Sequence, residues 1–144
     1  MKQVSDLLNH KGRDVWSLTP DDSVYDAIDQ MAERGVGALL VMEDGRLLGI
    51  VSERDYARKV ILKGKLSKET KVSEIMSSPV ICARPEFTVV ETMALMTAKR
   101  VRHLPVVVNE RVIGVISIGD VVRGVMDDQE FEIQQLTKYI CGGV

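Results

Sequence analysis

Two short polar motifs in this sequence have the residue types and the spacing to bind a phosphorylated sugar. Ser52 and Asp55 follow one apolar run, and Ser117 and Asp120 repeat the same spacing after a second. A helix that begins at each serine would offer unpaired N–H groups to a phosphate, and the aspartate would accept hydrogen bonds from both ribose hydroxyls, as in dinucleotide-binding folds. The same spacing is also a variant of the capping box, which needs no ligand. The spacing alone leaves both interpretations open.

A basic pair, Arg102 and His103, lies between a predicted helix and the strand that follows it. The planar guanidinium of arginine matches phosphate oxygens with parallel N–H groups, and the imidazole adds a second donor. A basic pair at the C-terminal end of a helix also offsets the helix dipole without any ligand. Both roles remain open from the residues alone.

The sequence lacks the grouped side chains that catalysis or metal binding needs. Its two histidines, His10 and His103, lie far apart in the chain, and Cys82 and Cys141 are isolated. No nucleophile with a base, no paired metal ligands and no glycine-rich phosphate loop can be identified. We therefore predict that the protein is not an enzyme and has neither a catalytic cofactor nor a metal site.

An internal repeat places the motifs at equivalent positions. A shift of 65 residues aligns residues 20–60 with residues 85–125 and matches 12 of the 41 aligned residues without a gap. A shorter similarity, at a shift of 68 residues, precedes each copy. We predict a first repeat with its N-terminal segment at residues 1–62, a linker at 63–71, a second repeat at 72–126 and a C-terminal helix or tail at 127–144.

Each copy predicts the same order of elements, β-α-β-β-α. The helix starts at Ser23 or Thr88, each followed three residues later by an acidic residue, as in a capping box. Two apolar strands then flank a turn at Asp44-Gly45 in the first copy and at Asn109-Glu110 in the second. One unit cannot cover both faces of its sheet. We therefore expect a mixed α+β fold in which two units pack sheet to sheet around a pseudo-two-fold axis.

Composition excludes several classes of protein. The 144 residues include 19 basic and 21 acidic side chains, so the net charge of −2 argues against binding nucleic acid through a large basic face. No apolar run reaches the roughly 18 residues of a membrane span, and the first twenty residues lack the apolar stretch of a signal peptide. We expect a cytoplasmic protein with no membrane association.

The repeated pattern Gly-h-h-Ser-x-x-Asp (h apolar), after a proline-led helix and a Leu-x-Val strand, resembles the cystathionine-β-synthase (CBS) domain. The match runs from about Val4 to Met126. Two tandem copies resemble the paired CBS module, also called a Bateman module. The stretches that begin at Ser52 and at Arg102 are similar to small stand-alone CBS-pair proteins.

The resemblance implies a regulatory module that binds an adenine-containing ligand, such as AMP, ADP, ATP, NAD(H) or S-adenosylmethionine, in two clefts between the copies. It also implies a homodimer and a protein partner that the module regulates. One cleft would hold Ser117, Asp120, Arg102 and His103, with an adenine-facing wall of Ala27, Val36, Gly37 and Ala38. The other would hold Ser52, Arg54 and Asp55, with a wall of Thr92, Val101 and Arg102. We expect tighter binding in the cleft with Asp120, since the Arg-His pair lies there.

Two further functions stay open. An interaction or dimerisation scaffold would use every motif for capping and packing, with no physiological ligand. A ligand of the S-adenosylmethionine type would use the same clefts. Stability with and without nucleotides distinguishes the scaffold from a binding module.

Overall fold

The computed structural model describes residues 2–126 and residue 142, which form the mixed α+β fold with two small sheets that the sequence predicts. The first half contains α1 (Val4–Lys11), β1 (Ser17–Leu18), α2 (Val24–Arg34), β2 (Ala38–Glu43), β3 (Arg46–Ser52) and α3 (Glu53–Tyr56). The second half contains α4 (Val72–Ile75), α5 (Val89–Lys99), β4 (His103–Val108), β5 (Arg111–Ser117) and α6 (Ile118–Met126). A π-helical segment (Ala57–Ile61) continues α3, and the linker includes a 3-10 turn (Ser67–Glu69). The predicted C-terminal helix at 127–144 lies outside the described residues, except for residue 142.

The helices and hairpins begin and end where the local residues require. Ser23 caps α2 by accepting a hydrogen bond from the Asp26 N–H at 3.0 Å, and Thr88 caps α5 by accepting one from the Glu91 N–H at 3.1 Å. Gly35 ends α2 in the left-handed conformation with a φ of 67°. Both hairpins turn at the predicted residue pairs. The capping and turn predictions are therefore confirmed.

The first strand of the repeat differs between the halves. In the first half, β1 pairs parallel to β2, which pairs antiparallel to β3. In the second half, the equivalent strand is reduced to a single parallel bridge between Ala83 and Val106, beside the antiparallel pair β4 and β5. From the residues, we predict this first strand over residues 15–18 in one copy and 80–83 in the other. The structure shortens it to Ser17–Leu18 in the first half and to the Ala83 bridge in the second.

The helices that precede the two repeats are exchanged between the halves. The sequence grouped α1 with the first repeat, yet the Val4 N–H donates to the Phe87 carbonyl at 2.9 Å, and α1 packs on β5 and α6. Reciprocally, the Val72 N–H at the start of α4 donates to the Asp22 carbonyl at 2.8 Å, and α4 packs on β3. Each hydrophobic core is therefore completed by the helix that precedes the other repeat, which fixes the halves relative to each other.

Candidate functional site

Each Ser-x-x-Asp motif borders a cavity that is lined by described residues from both halves. The Asp120 cavity has a volume of about 390 Å³ and the Asp55 cavity about 290 Å³, near the lower end of the range for small-molecule sites. Both cavities are lined by Gly37, Ala38, Ile50 and His103. The Asp120 cavity is also lined by Lys11, Gly12, Asp14, Trp16, Gly35, Val36, Leu40, Val115, Ser117 and Asp120. The Asp55 cavity is also lined by Ser52, Glu53, Arg54, Asp55, Ser77, Arg100, Val101 and Arg102.

The motif at Ser117 caps a helix and borders a cavity at the same time. Asp120 Oδ2 accepts a hydrogen bond from the Ser117 N–H at 2.8 Å, and Ser117 Oγ accepts one from the Asp120 N–H at 3.2 Å. These reciprocal bonds hold both side chains at the junction of β5 and α6. Asp120 is only 8% exposed, and it lines this cavity and a smaller neighbouring one. Capping and ligand binding are thus compatible at this position.

Lys11 contacts Asp120 from the far end of the sequence, a partner that the motif analysis missed. Its Nζ donates to Asp120 Oδ2 at 2.6 Å and to the Val115 carbonyl at 2.8 Å. Burial raises the pKa of Asp120, but the hydrogen bonds and charge of Lys11 and the hydrogen bonds of Ser117 outweigh it, so the pKa lies below its ordinary value. Arg123 Nη1 adds a weaker contact, 3.5 Å from Asp120 Oδ1. The carboxylate is ionised and charge-balanced at neutral pH.

The motif at Ser52 has the same internal geometry but a different cation. Asp55 Oδ2 accepts hydrogen bonds from the Ser52 N–H at 2.9 Å and from the Ser52 hydroxyl at 3.0 Å. Lys59, one turn along the same helical segment, lies 3.1 Å from Asp55 Oδ1 and donates to the Ile75 carbonyl. The two aspartates are therefore equivalent in position, while their charge partners come from unrelated parts of the chain.

Arg102 and His103 take different places in the structure. The exposed Arg102 side chain lines the Asp55 cavity with Arg54 and Arg100, whose wall the sequence also expects it to form, and it is not among the described residues that line the Asp120 cavity. His103 lies between the cavities and lines both. Burial lowers the pKa of His103, and the nearby charges of Lys11 and Arg102 lower it further against the opposing effect of Asp120. The imidazole is therefore mainly neutral near pH 7.

The predicted apolar walls are brought to the cavities only in part. Val36, Gly37 and Ala38 line the Asp120 cavity, and Val101 lines the Asp55 cavity. Ala27 in α2 and Thr92 in α5 occupy equivalent positions. Both are fully buried, and neither is among the described residues that line the Asp120 or the Asp55 cavity. Thr92 donates its hydroxyl to the Thr88 carbonyl at 2.8 Å. The assignment of Ala27 and Thr92 to the walls stays a prediction.

Small residues at the shared wall keep space open beside His103. A Cβ atom on Gly37 would lie 3.5 Å from His103 Nε2 and 3.1 Å from Glu53 Oε1, so a larger side chain would press on both. Trp16, whose ring is stacked by the Arg34 guanidinium at 3.9 Å, forms another part of the Asp120 cavity. Together these residues give that cavity an apolar, partly aromatic surface opposite a carboxylate.

In the part of the chain that the structure describes, the histidine, cysteine and acidic residues form no cluster that could hold a metal ion. None of its helices combines the length and the apolar character needed to cross a bilayer.

Comparison with known proteins gives consistent results over nearly the whole chain. The family model of the CBS domain matches residues 4–62 and 72–127. The mitochondrial CBS domain-containing protein CBSX3 of Arabidopsis thaliana is 45% identical, over 97% of this chain and 72% of the relative. A solved structure of a candidate signal-transduction protein with CBS domains from Burkholderia ambifaria MC40-6 has a TM-score of 0.88 and 49% identity, covering 92% of this chain and 99% of that one.

A more distant structure shares the fold. The CBS domain pair of protein MJ0100, solved in complex with 5′-methylthioadenosine and S-adenosyl-L-methionine, has a TM-score of 0.79 and 23% identity. The alignment covers 90% of this chain and 99% of that one.

Proposed function

This chain belongs to the CBS-domain family, whose paired domains are regulatory ligand-binding modules, and we propose that it binds an adenine nucleotide (AMP, ATP or NAD(H)) in the Asp120 cavity. Ligand binding would change the conformation of the pair or its contacts within a homodimer, and a protein partner would respond. A ligand shifts such an equilibrium only by its difference in affinity for the two states.

The geometry of the Asp120 cavity carries this proposal. An ionised carboxylate lies at the start of a helix, opposite a wall of small and apolar residues that includes Val36, Gly37 and Ala38. Ribose hydroxyls can donate to the carboxylate, while a flat base packs on the apolar wall.

The Asp55 cavity is proposed as a second, more cationic site. It is smaller, but Arg54, Arg100 and Arg102 all line it. The expectation of tighter binding beside Asp120 rested partly on Arg102. With Arg102 in the other cavity, we propose that ligands with several phosphates favour the Asp55 cavity and that AMP favours the Asp120 cavity.

Thermal unfolding with single ligands tests the proposal. A ligand at 100 times its dissociation constant stabilises the folded state by about 2.7 kcal/mol. We expect AMP, ATP, NAD or NADH to raise the melting temperature, and Asp120→Ala to weaken the calorimetric affinity while the fold survives. Asp21→Ala, an exposed carboxylate paired with Lys71, is the control and should leave affinity unchanged. Stabilisation by S-adenosylmethionine alone would reassign the ligand to that class.

An interaction scaffold is the second candidate, and one observation favours it. Both motif aspartates already have protein partners, Lys11 for Asp120 and Lys59 for Asp55, so neither needs a ligand for charge balance. The scaffold would be supported if none of these ligands raised the melting temperature and none of them changed the affinity of the chain for a protein partner.

Exposed apolar side chains on both halves support a homodimer. Equivalent apolar side chains remain exposed on the two halves, among them Tyr25 and Val90, which are 46% and 60% exposed. A homodimer would cover such residues, and light scattering would give its mass. We propose a cytoplasmic location; the Arabidopsis relative is mitochondrial.

A further inference from the structure

Lys11 reaches the Asp120 cavity because α1 is one turn longer than its counterpart. α1 has eight residues and ends at Lys11, whereas α4 has four. Gly12 follows with a φ of 104°, a conformation that favours glycine and turns the chain away at that point. The side chain of Lys11 is 37% exposed, so it lies at the cavity wall rather than beneath it.

Lys11 also replaces a backbone contact that the first half makes at the equivalent place. There, Ile50 and Ser77 exchange two backbone hydrogen bonds of 3.1 and 2.9 Å across the edge of the sheet. In the second half, the equivalent of Ile50 is Val115, and its carbonyl accepts from Lys11 Nζ instead. The pseudo-symmetry is broken by a charged side chain next to the cavity.

The charges around the Asp120 cavity depend on this one residue. Among the described residues that line it, the charged side chains are Lys11, Asp14 and Asp120, with His103 mainly neutral near pH 7. Arg123 contacts Asp120 but lines a smaller neighbouring cavity. Without Lys11, an anionic ligand group would meet two carboxylates and, among these described residues, no permanent cation.

We propose that Lys11 determines ligand specificity in the Asp120 cavity by binding the phosphate of a 5′-phosphorylated adenosine. This inference rests on the proposed function. An ammonium has three N–H groups, and two of them donate to Asp120 and Val115. The third can donate to a phosphate oxygen while the other two hold the carboxylate in place for the ribose, so one side chain serves both parts of the nucleotide.

Trp16 allows this cavity to be observed separately. It is the single tryptophan of the chain and lines the Asp120 cavity, and it is not among the described residues that line the Asp55 cavity. Titrations followed by its fluorescence should compare AMP with adenosine in the wild type, in Lys11→Met and in Lys59→Met. The last variant is the matched control, because Lys59 pairs with the equivalent aspartate, Asp55.

We expect Lys11→Met to weaken AMP binding about tenfold or more, which corresponds to about 1.4 kcal/mol, and to change adenosine binding much less. Lys59→Met should leave both affinities unchanged. Lys11→Arg should keep part of the preference for AMP. In the wild type, rising salt should weaken AMP binding more than adenosine binding, a measurement that does not depend on any variant folding.

The outcomes separate this inference from the proposed function. If neither ligand binds the wild type in melting or fluorescence experiments, the proposed function and this inference both fail. If both ligands bind but Lys11→Met weakens them equally, Lys11 only holds Asp120 and the specificity role is wrong. An unchanged ratio of AMP to adenosine affinity, across variants and across salt concentrations, also overturns it.

Discussion

Asp120 combines structural and chemical tasks that the sequence presents as alternatives. Its carboxylate completes a capping box with Ser117, pairs with Lys11 and borders a cavity. Local spacing predicts the capping box, and the family resemblance implies the place beside a cavity. The ion pair with Lys11 could not be predicted, because 109 residues separate Lys11 from Asp120 and no local pattern links them. Arg102 lies in the bend before β4, which begins at His103, so strand periodicity does not predict which cavity Arg102 lines.

The ion pair of Asp120 should make the stability of the fold depend on pH in the acidic range. The pKa of Asp120 is lowered in the folded state, so its ionisation contributes to the free energy of unfolding. This contribution is fully present when the pH is above the ordinary pKa of an aspartate, and it is lost as the pH falls through the lowered pKa. Asp120→Asn should cost about 1–3 kcal/mol at pH 7. The difference from the wild type should shrink in acid. Urea unfolding from pH 7 to pH 3 measures this, and a constant difference would contradict it.

The position of His103 predicts a titration that reports on Lys11. Burial and the charges of Lys11 and Arg102 lower the pKa of His103, whereas Asp120 opposes them. Lys11→Met removes a nearby positive charge and leaves Asp120 with less compensation, so the pKa of His103 should rise. Asp120→Asn should lower it. NMR titration of the imidazole protons measures both shifts, and shifts of the same sign in the two variants would be inconsistent with this arrangement.

Helix starts and hairpin turns are the elements whose positions follow most directly from local sequence. Ser23 and Thr88 cap helices as predicted, since one side-chain oxygen satisfies an N–H group that otherwise has no partner. Strand length was less predictable. Ala83 forms one bridge where its equivalent, Leu18, belongs to a two-residue strand, because pairing depends on the distance to the neighbouring strand rather than on β propensity.

The two hairpin turns provide a matched test at equivalent positions. Gly45 has a φ of 75°, and its equivalent Glu110 has a φ of 65°, a region where a side chain is strained and glycine is not. We expect Glu110→Gly to stabilise the protein by about 0.5–1 kcal/mol, after allowing for the extra freedom of glycine in the unfolded chain. Gly45→Glu should destabilise it by about 1 kcal/mol. Denaturant midpoints measure both, and equal signs would show that the turns are not equivalent.

At the scale of the whole molecule, the exchange of α1 and α4 is what joins the repeats. Sequence periodicity identifies each helix and its apolar face, but it cannot tell which of the two equivalent cores receives that face. The choice depends on the path of the connecting segments, which the repeat pattern does not encode. As a result, Leu8 near the start of the chain packs with β5, while Ile75 packs in the core of the first half.

Amide hydrogen exchange can test directly whether α1 and α4 each pack on the opposite half. Leu8 and Ile75 are 0% and 1% exposed, so truncation of either to alanine should cost about 2–5 kcal/mol. Because each side chain supports the opposite half, Leu8→Ala should reduce amide protection mainly in β4 and β5, and Ile75→Ala mainly in β2 and β3. Loss of protection in the half nearer in sequence would contradict the exchanged packing. Equal loss in both halves would also contradict this prediction, because it would mean that the two cores unfold as one unit.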